Sequence, residues 1–196
     1  SEMCIRDSIG AGYSNTTGND NTYIGYQSGK SGTIAIENVF IGKQAGYNNT
    51  SSNNVFIGHT TGYTNTSGTD NVFIGNSAAY TNNDGNDNVI LGNQAGYKMT
   101  SGEANILLGS QAGYNITIGE RNIALGSVTT NLGSDSAGYS LTSGGDNIMI
   151  GSKSGKKLNT ADRNVFIGSN TGSSVTGNGD NILIGMDAGC NLTSAN

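Results

Sequence analysis

The sequence predicts an all-β protein, a parallel β-solenoid (β-roll) of about eleven coils of 17 residues each. Three observations predict this fold: a regular 17-residue spacing, a β-rich run in every unit, and an unusual composition. Hydrophobic residues make up 34% of the chain, 32 residues are glycine and none is proline. A conventional globular core draws on about 45–50% apolar residues, so a repeat architecture fits this composition better.

The spacing is read from an asparagine that precedes each apolar run. Successive copies are 17 residues apart, except for one interval of 16 and one of 25. The asparagines are Asn21, Asn38, Asn54, Asn71, Asn88, Asn105, Asn122, Asn147, Asn164 and Asn181. The unit reads N-[VI]-x-[IL]-G-x-x-[AST]-G-Y-x-x-T-S-G-x-D and is clearest from Asn54 to Asp70. Positions are numbered below from this asparagine as position one.

Each unit contains the elements of one solenoid coil. The run N-V-F-I-G and the segment x-x-A-G-Y are expected to form two short strands, joined by a bend at the glycine and closed by a T-S-G-x-D turn. The glycine after the first strand is expected to need positive φ or close backbone approach. Copies one coil apart lie ~4.8 Å away, which makes a rod about 50 Å long. The stacked asparagines then form a ladder of buried amides.

Residues 1–8 are interpreted as a non-repeat segment, and residues 9–196 as the repeat domain. The eight extra residues of the long interval form an inserted loop at 127–134. Insertions in solenoids project from one coil, often on the binding side. This loop is therefore the best local candidate for a specific contact, with a neutral surface bulge as the alternative.

Both faces of the first strand are apolar, because alternate side chains point to opposite sides. The interpretation places the Val, Ile and Leu of positions two and four inside the coil and position three outside. The outward stripe would cover about 500 Å², at the upper limit of what monomers expose. It is therefore predicted to be an oligomer interface. Its residues are Phe40, Phe56, Phe73, Ile90, Leu107, Met149, Phe166 and Leu183.

Charge and motifs argue against several function classes. The net charge of −5 and the pI near 4.6 disfavour nucleic acid, whose phosphates need a basic surface. No run approaches the ~20 apolar residues of a membrane span. His59 is the only histidine, and the carboxylates of Asp70 and Asp87 recur at one repeat position, which suits turn capping better than catalysis. We expect no enzyme activity, cofactor, metal or intrachain disulfide between Cys4 and Cys190.

Two polar or aromatic columns are candidate binding faces. The tyrosines recur at position ten and are Tyr47, Tyr63, Tyr80, Tyr97, Tyr114 and Tyr139. They can stack on sugars or a protein surface, or on one another. A threonine column also runs through the turn. An ice- or glycan-binding solenoid is therefore the alternative function. Position twelve changes from Asn82 to Met99 partway along the chain, which predicts different outer surfaces for the two halves.

The unit N-V-F-I-G-x-x-A-G resembles the S-V-A-I-G-x-x-A repeats of trimeric autotransporter adhesin heads. It is still more similar to the N-N-T-x-I-G-x-x-A-G-Y-x-N-T-T-G arrays of bacterial surface fibres and phage tail fibres. The resemblance covers residues 9–196 and implies a left-handed β-roll, three chains per head and an extracellular, cell-surface or virion location. The expected function is a structural fibre or adhesin segment whose partners are its own copies and a host-surface protein or glycan. Open β edges also predict end-to-end stacking of rods.

Overall fold

The computed structural model describes residues 5–127 and 135–193 and shows a parallel β-solenoid with one short strand in each coil. The strands are β1 (Ile5–Asp7), β2 (Thr22–Ile24), β3 (Val39–Ile41), β4 (Val55–Ile57), β5 (Val72–Ile74), β6 (Val89–Leu91), β7 (Ile106–Leu108), β8 (Ile123–Leu125), β9 (Ile148–Ile150), β10 (Val165–Ile167) and β11 (Ile182–Ile184). They form one sheet in chain order, and every neighbouring pair is parallel. The fold class predicted from the sequence is confirmed. Fewer than eleven coils are complete, because the first and last strands bound the sheet.

The pairing keeps the repeat register through both irregular intervals. Val39 pairs with Val55 across the 16-residue interval, and Leu125 pairs with Ile150 across the interval of 25. The register also includes β1, where Ile5 pairs with Thr22. The assignment of residues 1–8 to a non-repeat segment is therefore wrong for Ile5–Asp7. Ser8, with φ of 118°, takes the place that glycine holds after the other strands.

The second predicted strand, x-x-A-G-Y, is a stack of turns rather than extended chain. In one coil Gln44 and Gly46 both have left-handed φ, at 56° and 57°, and two such residues so close together cannot lie in a β-strand. The coils still bond to one another here, because the Gly46 N–H donates to the Thr61 carbonyl at 2.9 Å. The stacking prediction holds, whereas the secondary structure assigned to this segment was wrong.

The asparagine ladder is confirmed and involves the backbone as well as the side chains. In a typical rung the Asn88 backbone N–H and Nδ2 both donate to Asn71 Oδ1, at 3.0 and 3.1 Å. Asn88 Nδ2 also donates to the Gly102 carbonyl of its own turn at 2.8 Å. The exception is Asn54, whose backbone N–H donates to Asn38 Oδ1 at 3.0 Å while its Nδ2 donates to the Ser52 carbonyl at 3.0 Å. Asn54 follows the 16-residue interval, so the missing turn residue has altered one rung.

The interior also contains an aromatic stack and a second asparagine column. Phe40, Phe56 and Phe73 are fully buried, with ring centroids 4.8 Å apart in both pairs. Position twelve is interior too, because both Asn82 and Met99 are buried. The prediction that this column gives the two halves different outer surfaces is therefore wrong. The core itself changes, from amides that bond between coils to apolar side chains, and Asn82 Oδ1 is left without a hydrogen-bond partner at the junction.

The glycine at position five allows adjacent coils to approach closely, as the sequence predicted. Gly75 has φ of 136°, and a Cβ added there would overlap the Gly92 carbonyl oxygen of the next coil. Gly185 has φ of 119°, but a Cβ added to Gly185 would have no atom within 4 Å. The two glycines therefore share a backbone conformation and differ in the space around them.

We expect Gly75→Ala to lower the free energy of unfolding by about 1–3 kcal/mol more than Gly185→Ala, because only the first adds overlap between coils to the backbone strain. Urea denaturation followed by circular dichroism measures both values. Equal losses at the two sites would mean that φ strain alone requires glycine at position five.

Candidate functional site

The outer face of the sheet carries two uninterrupted columns of aliphatic side chains. From β3 to β11 both positions two and four are Val, Ile or Leu in every coil. Val72 and Ile74 are half-buried, whereas Val89 and Ile106 are 37% and 38% exposed. The first two strands depart, with Asp7 at position four of β1 and Thr22 at position two of β2. The result is a flat apolar strip along the length of the rod.

The strip is more uniform than the exposed positions beside it. Position six, directly after the bend, holds Lys43, His59, Asn76 and Asn93 in successive coils. Neither the 16-residue interval nor the inserted loop interrupts the aliphatic columns, since both irregularities fall outside the strands. Strand formation alone would accept threonine or tyrosine at such positions. An aliphatic side chain in every rung therefore indicates a requirement for apolar contact.

The predicted oligomer interface is wrong in its choice of residues. The side chains assigned to it lie in the core of the chain rather than outside it; Leu183, in the last strand, is only partly buried there. The fully buried members are Phe40, Phe56, Phe73, Ile90, Leu107, Met149 and Phe166. They cannot meet another chain without unfolding, so the outward apolar surface belongs to the valine and isoleucine columns.

Strand geometry contained a signal for this assignment. Positions one and three lie on the same side of a strand, because alternate residues share a face. A buried ladder at Asn71 therefore requires Phe73 to be buried as well, and it sends Val72 and Ile74 outward. The ladder prediction and the interface prediction contradicted each other, and the ladder prediction was the correct one.

The tyrosine column forms a continuous stack on the coil surface. Tyr47, Tyr63, Tyr80, Tyr97, Tyr114 and Tyr139 lie at successive rungs, partly buried. Ring centroids are 5.0–5.4 Å apart and the ring planes are within 13° of parallel. Lys30 closes one end, because its Nζ lies 5.0 Å from the Tyr47 ring centroid and donates to the Tyr47 hydroxyl at 2.9 Å. Burial raises the pKa of Tyr80 and Tyr114.

This stacking bears on the candidate binding face. Each inner ring has neighbours on both faces, so the ring edges and hydroxyls are what remain for a ligand. A sugar that stacks on an aromatic ring needs an open ring face. The geometry therefore favours mutual stacking, the alternative that the sequence left open.

The threonine column bonds along the rod. Thr50, Thr100 and Thr142 each donate their hydroxyl to the carbonyl of the corresponding residue in the next coil, at 2.6–3.2 Å. The hydroxyl protons are thus already used within the chain. These hydrogen bonds stabilise the turn stack.

Position seventeen carries an ion-pair ladder in the C-terminal half that the sequence analysis missed. Arg121 Nε donates to Asp146 Oδ1 at 2.7 Å, and Arg163 Nε donates to Asp180 Oδ1 at 2.6 Å. The hydrogen bonds from the guanidinium groups lower the pKa of both carboxyls. The 17-residue period places Arg163 and Asp180 in neighbouring coils, so the pairing was readable from the repeat alignment.

Asp70 and Asp87 occupy the same position in earlier coils and are exposed. Both have left-handed φ, at 60° and 58°, in a region that aspartate tolerates better than most residues. A role in the turn explains why aspartate recurs at position seventeen, and no catalytic role is needed. Within residues 5–127 and 135–193, no cluster of three His, Cys, Asp or Glu side chains could hold a metal ion.

Most of the inserted loop at 127–134 lies outside the described residues. Asp135, directly after it, is buried and accepts a hydrogen bond from Lys156 Nζ at 2.8 Å, with Lys153 Nζ 3.4 Å away. The hydrogen bond from Lys156 is the main cause that lowers the pKa of Asp135. These contacts attach the end of the insertion to the next coil.

The remaining candidates lie apart from one another. Cys190 is partly buried with a free thiol, and His59 is exposed beside the bend. Cys4 is outside the described residues. No helix in the described part of the chain is long and apolar enough to cross a membrane.

The fold defines the chain as a parallel β-solenoid with an aliphatic outer sheet face. Searches against protein-family models, curated proteins and solved structures give no match.

Proposed function

We propose that this chain is a structural segment of a fibre or adhesin whose copies associate through the aliphatic strip of positions two and four. The observation that carries the proposal is the strip itself, which stays aliphatic in nine successive coils although it is partly exposed. Nine rungs at ~4.8 Å and a width of ~10 Å give an area of about 430 Å² per chain, as large as the largest apolar patches that monomers usually leave open to water. Covering it with second copies removes that surface from water.

The distribution of charge supports association between copies that point in the same direction. Positions sixteen and seventeen, on one side of the strip, hold nine carboxylates against two arginines. Positions six to eleven, on the other side, hold six lysines against two carboxylates. Neighbours related by rotation about an axis along the rod place the acidic side of one copy near the basic side of the next. Antiparallel neighbours would place like charges together, at a cost in free energy.

A trimer at an extracellular, cell-surface or virion location is the form of the assembly that we propose. It rests on the similarity of the N-V-F-I-G-x-x-A-G unit to adhesin-head and tail-fibre repeats. Recognition of a host-surface protein or glycan and end-to-end stacking of rods remain predictions. Ice or glycan binding is the weaker proposal, because the threonine hydroxyls and tyrosine faces are engaged within the chain.

Sedimentation of the purified chain at micromolar concentration tests self-association. We expect a trimer for the unmodified chain and a shift to monomer when Val72, Ile74, Val89 and Leu91 are all replaced by threonine. Threonine keeps the β-branched shape of valine and isoleucine, and it already occupies position two as Thr22 in β2. The matched control is the pair Asn76→Thr and Asn93→Thr, beside the strip at position six, which should leave the trimer intact.

A clean monomer for the unmodified chain would refute self-association. A quadruple variant that stays trimeric, with unchanged circular dichroism, would show that another surface forms the contact. Carbodiimide cross-linking of the assembled chain tests whether neighbouring copies point in the same direction. If they do, the reagent should link Lys43 of one copy to Glu37 or another carboxylate on the acidic side of the next copy.

A further inference from the structure

The turn between β10 and β11 contains Asn178–Gly179, the only Asn-Gly pair in the sequence. Asn178 is exposed and has φ of 69°, and it follows Gly177, where an added Cβ would have no atom within 4 Å. The equivalent residues at position fifteen of other coils, such as Gly85 and Ala161, do not have left-handed φ. The backbone of this turn therefore departs from that of the equivalent turns at Asn178.

The hydrogen bonds of this turn also depart from the repeat. Asn147 Nδ2 donates to the Ala161 carbonyl of its own turn at 2.8 Å. The equivalent acceptor for Asn164 would be the Asn178 carbonyl, but Asn164 Nδ2 donates to the Asp162 carbonyl at 3.2 Å. The Asn178 carbonyl instead accepts from Asn181 Nδ2 at 3.3 Å. The Asn178 carbonyl thus pairs with Asn181, the next rung of the ladder, instead of with Asn164.

We propose that Asn178 is a site of spontaneous deamidation. The Gly179 backbone nitrogen attacks Cγ of Asn178, a nitrogen–carbon bond forms, and the Cγ–Nδ2 bond breaks. The side-chain nitrogen leaves as ammonia with the proton lost from the Gly179 amide. Water then opens the succinimide ring at either carbonyl, which leaves aspartate or isoaspartate at this position. Glycine promotes the attack because it has no side chain to shield its nitrogen.

The ladder asparagines are protected from the same reaction. Asn71 and Asn88 are fully buried, and each is followed by valine, whose branched side chain shields the attacking nitrogen. Their amides are also fixed by hydrogen bonds to neighbouring coils. An abundance of asparagine is therefore compatible with a single reactive position.

The reaction would change the contacts of the last strand. Aspartate adds a negative charge two residues from Asp180, which pairs with Arg163. Isoaspartate adds a methylene to the backbone of a turn whose carbonyls at residues 178 and 179 both accept from Asn181 Nδ2. The top rung of the asparagine ladder is the first contact to weaken.

Incubation of the folded chain at mildly alkaline pH, followed by peptide mass spectrometry and isoaspartyl methyltransferase labelling, tests the proposal. We expect conversion confined to Asn178, a rate that rises with pH, and no labelling in Asn178→Gln. Asn88 in the same digest is the internal control. No conversion at Asn178 in the folded chain, while the urea-unfolded chain converts there, would overturn the proposal, as would equal conversion at ladder positions.

Discussion

Phe73→Ala should lower the free energy of unfolding by about 3–5 kcal/mol, the usual range for removing a buried phenylalanine. Phe73 is fully buried, and its ring stacks on Phe56 with centroids 4.8 Å apart. Alanine loses both the burial of the ring and its contacts within the aromatic stack, and it leaves a cavity between coils. Urea denaturation followed by circular dichroism measures the loss.

Val72→Thr is the matched control, one residue away on the opposite side of the same strand. It should change stability by less than about 1 kcal/mol in the monomer, since it lies on the half-exposed outer face and threonine suits β-strands. Measurements at concentrations low enough to keep the chain monomeric separate folding from association. Similar losses for both variants would contradict the assignment of inner and outer faces.

Asn88→Ala should lower the free energy of unfolding by about 2–6 kcal/mol. The substitution leaves two buried backbone groups without partners, and each unpaired group costs about 1–3 kcal/mol. The Gly102 carbonyl loses the Nδ2 donor, and the Asn105 N–H loses the Oδ1 acceptor at 2.9 Å. Asn93→Ala is the control, since Asn93 is exposed at position six. The free energy of unfolding of this control should lie within about 0.5 kcal/mol of the value for the unmodified chain.

Asn88→Asp adds a pH dependence that distinguishes hydrogen bonding from packing. A buried carboxylate beside the Gly102 carbonyl favours its neutral form, so its pKa in the folded state lies above the unfolded value near ~3.9. The folded variant then binds more protons than the unfolded one. Its stability relative to that of the unmodified chain should be highest below ~pH 4 and should fall as pH rises through the folded pKa. A difference from the unmodified chain that does not vary with pH would indicate a packing defect instead.

The core of this solenoid contains a polar ladder on one strand position and an apolar stack two residues later. Asn71 is held by bonds to the rungs on both sides, whereas Phe73 is held by van der Waals contact with its copies. Each coil repeats both, so an error in strand register would break the two columns together. This coupling explains how three-residue strands keep one register through a deletion and an insertion.

The sequence by itself determined the coil period, the position of the N-V-F-I-G strand in each unit, its pairing register and the asparagine ladder. It could do so because each follows from copies that recur at a fixed spacing and must stack on one another. The Arg163–Asp180 pair follows from the same alignment, although it was not predicted.

Only the tertiary structure decided what the A-G-Y segment becomes, and it corrected the assignment of strand faces, for which the asparagine ladder was the one signal in the sequence. Residues at positions two, three and four are all apolar, so hydrophobicity cannot choose between the faces. The choice depends on the direction in which the chain turns after the glycine, and left-handed residues such as Gln44 and Gly46 set that direction. Local composition does not encode this direction, because glutamine has no preference for the left-handed conformation. The stacked coils impose the conformation through hydrogen bonds between neighbouring turns.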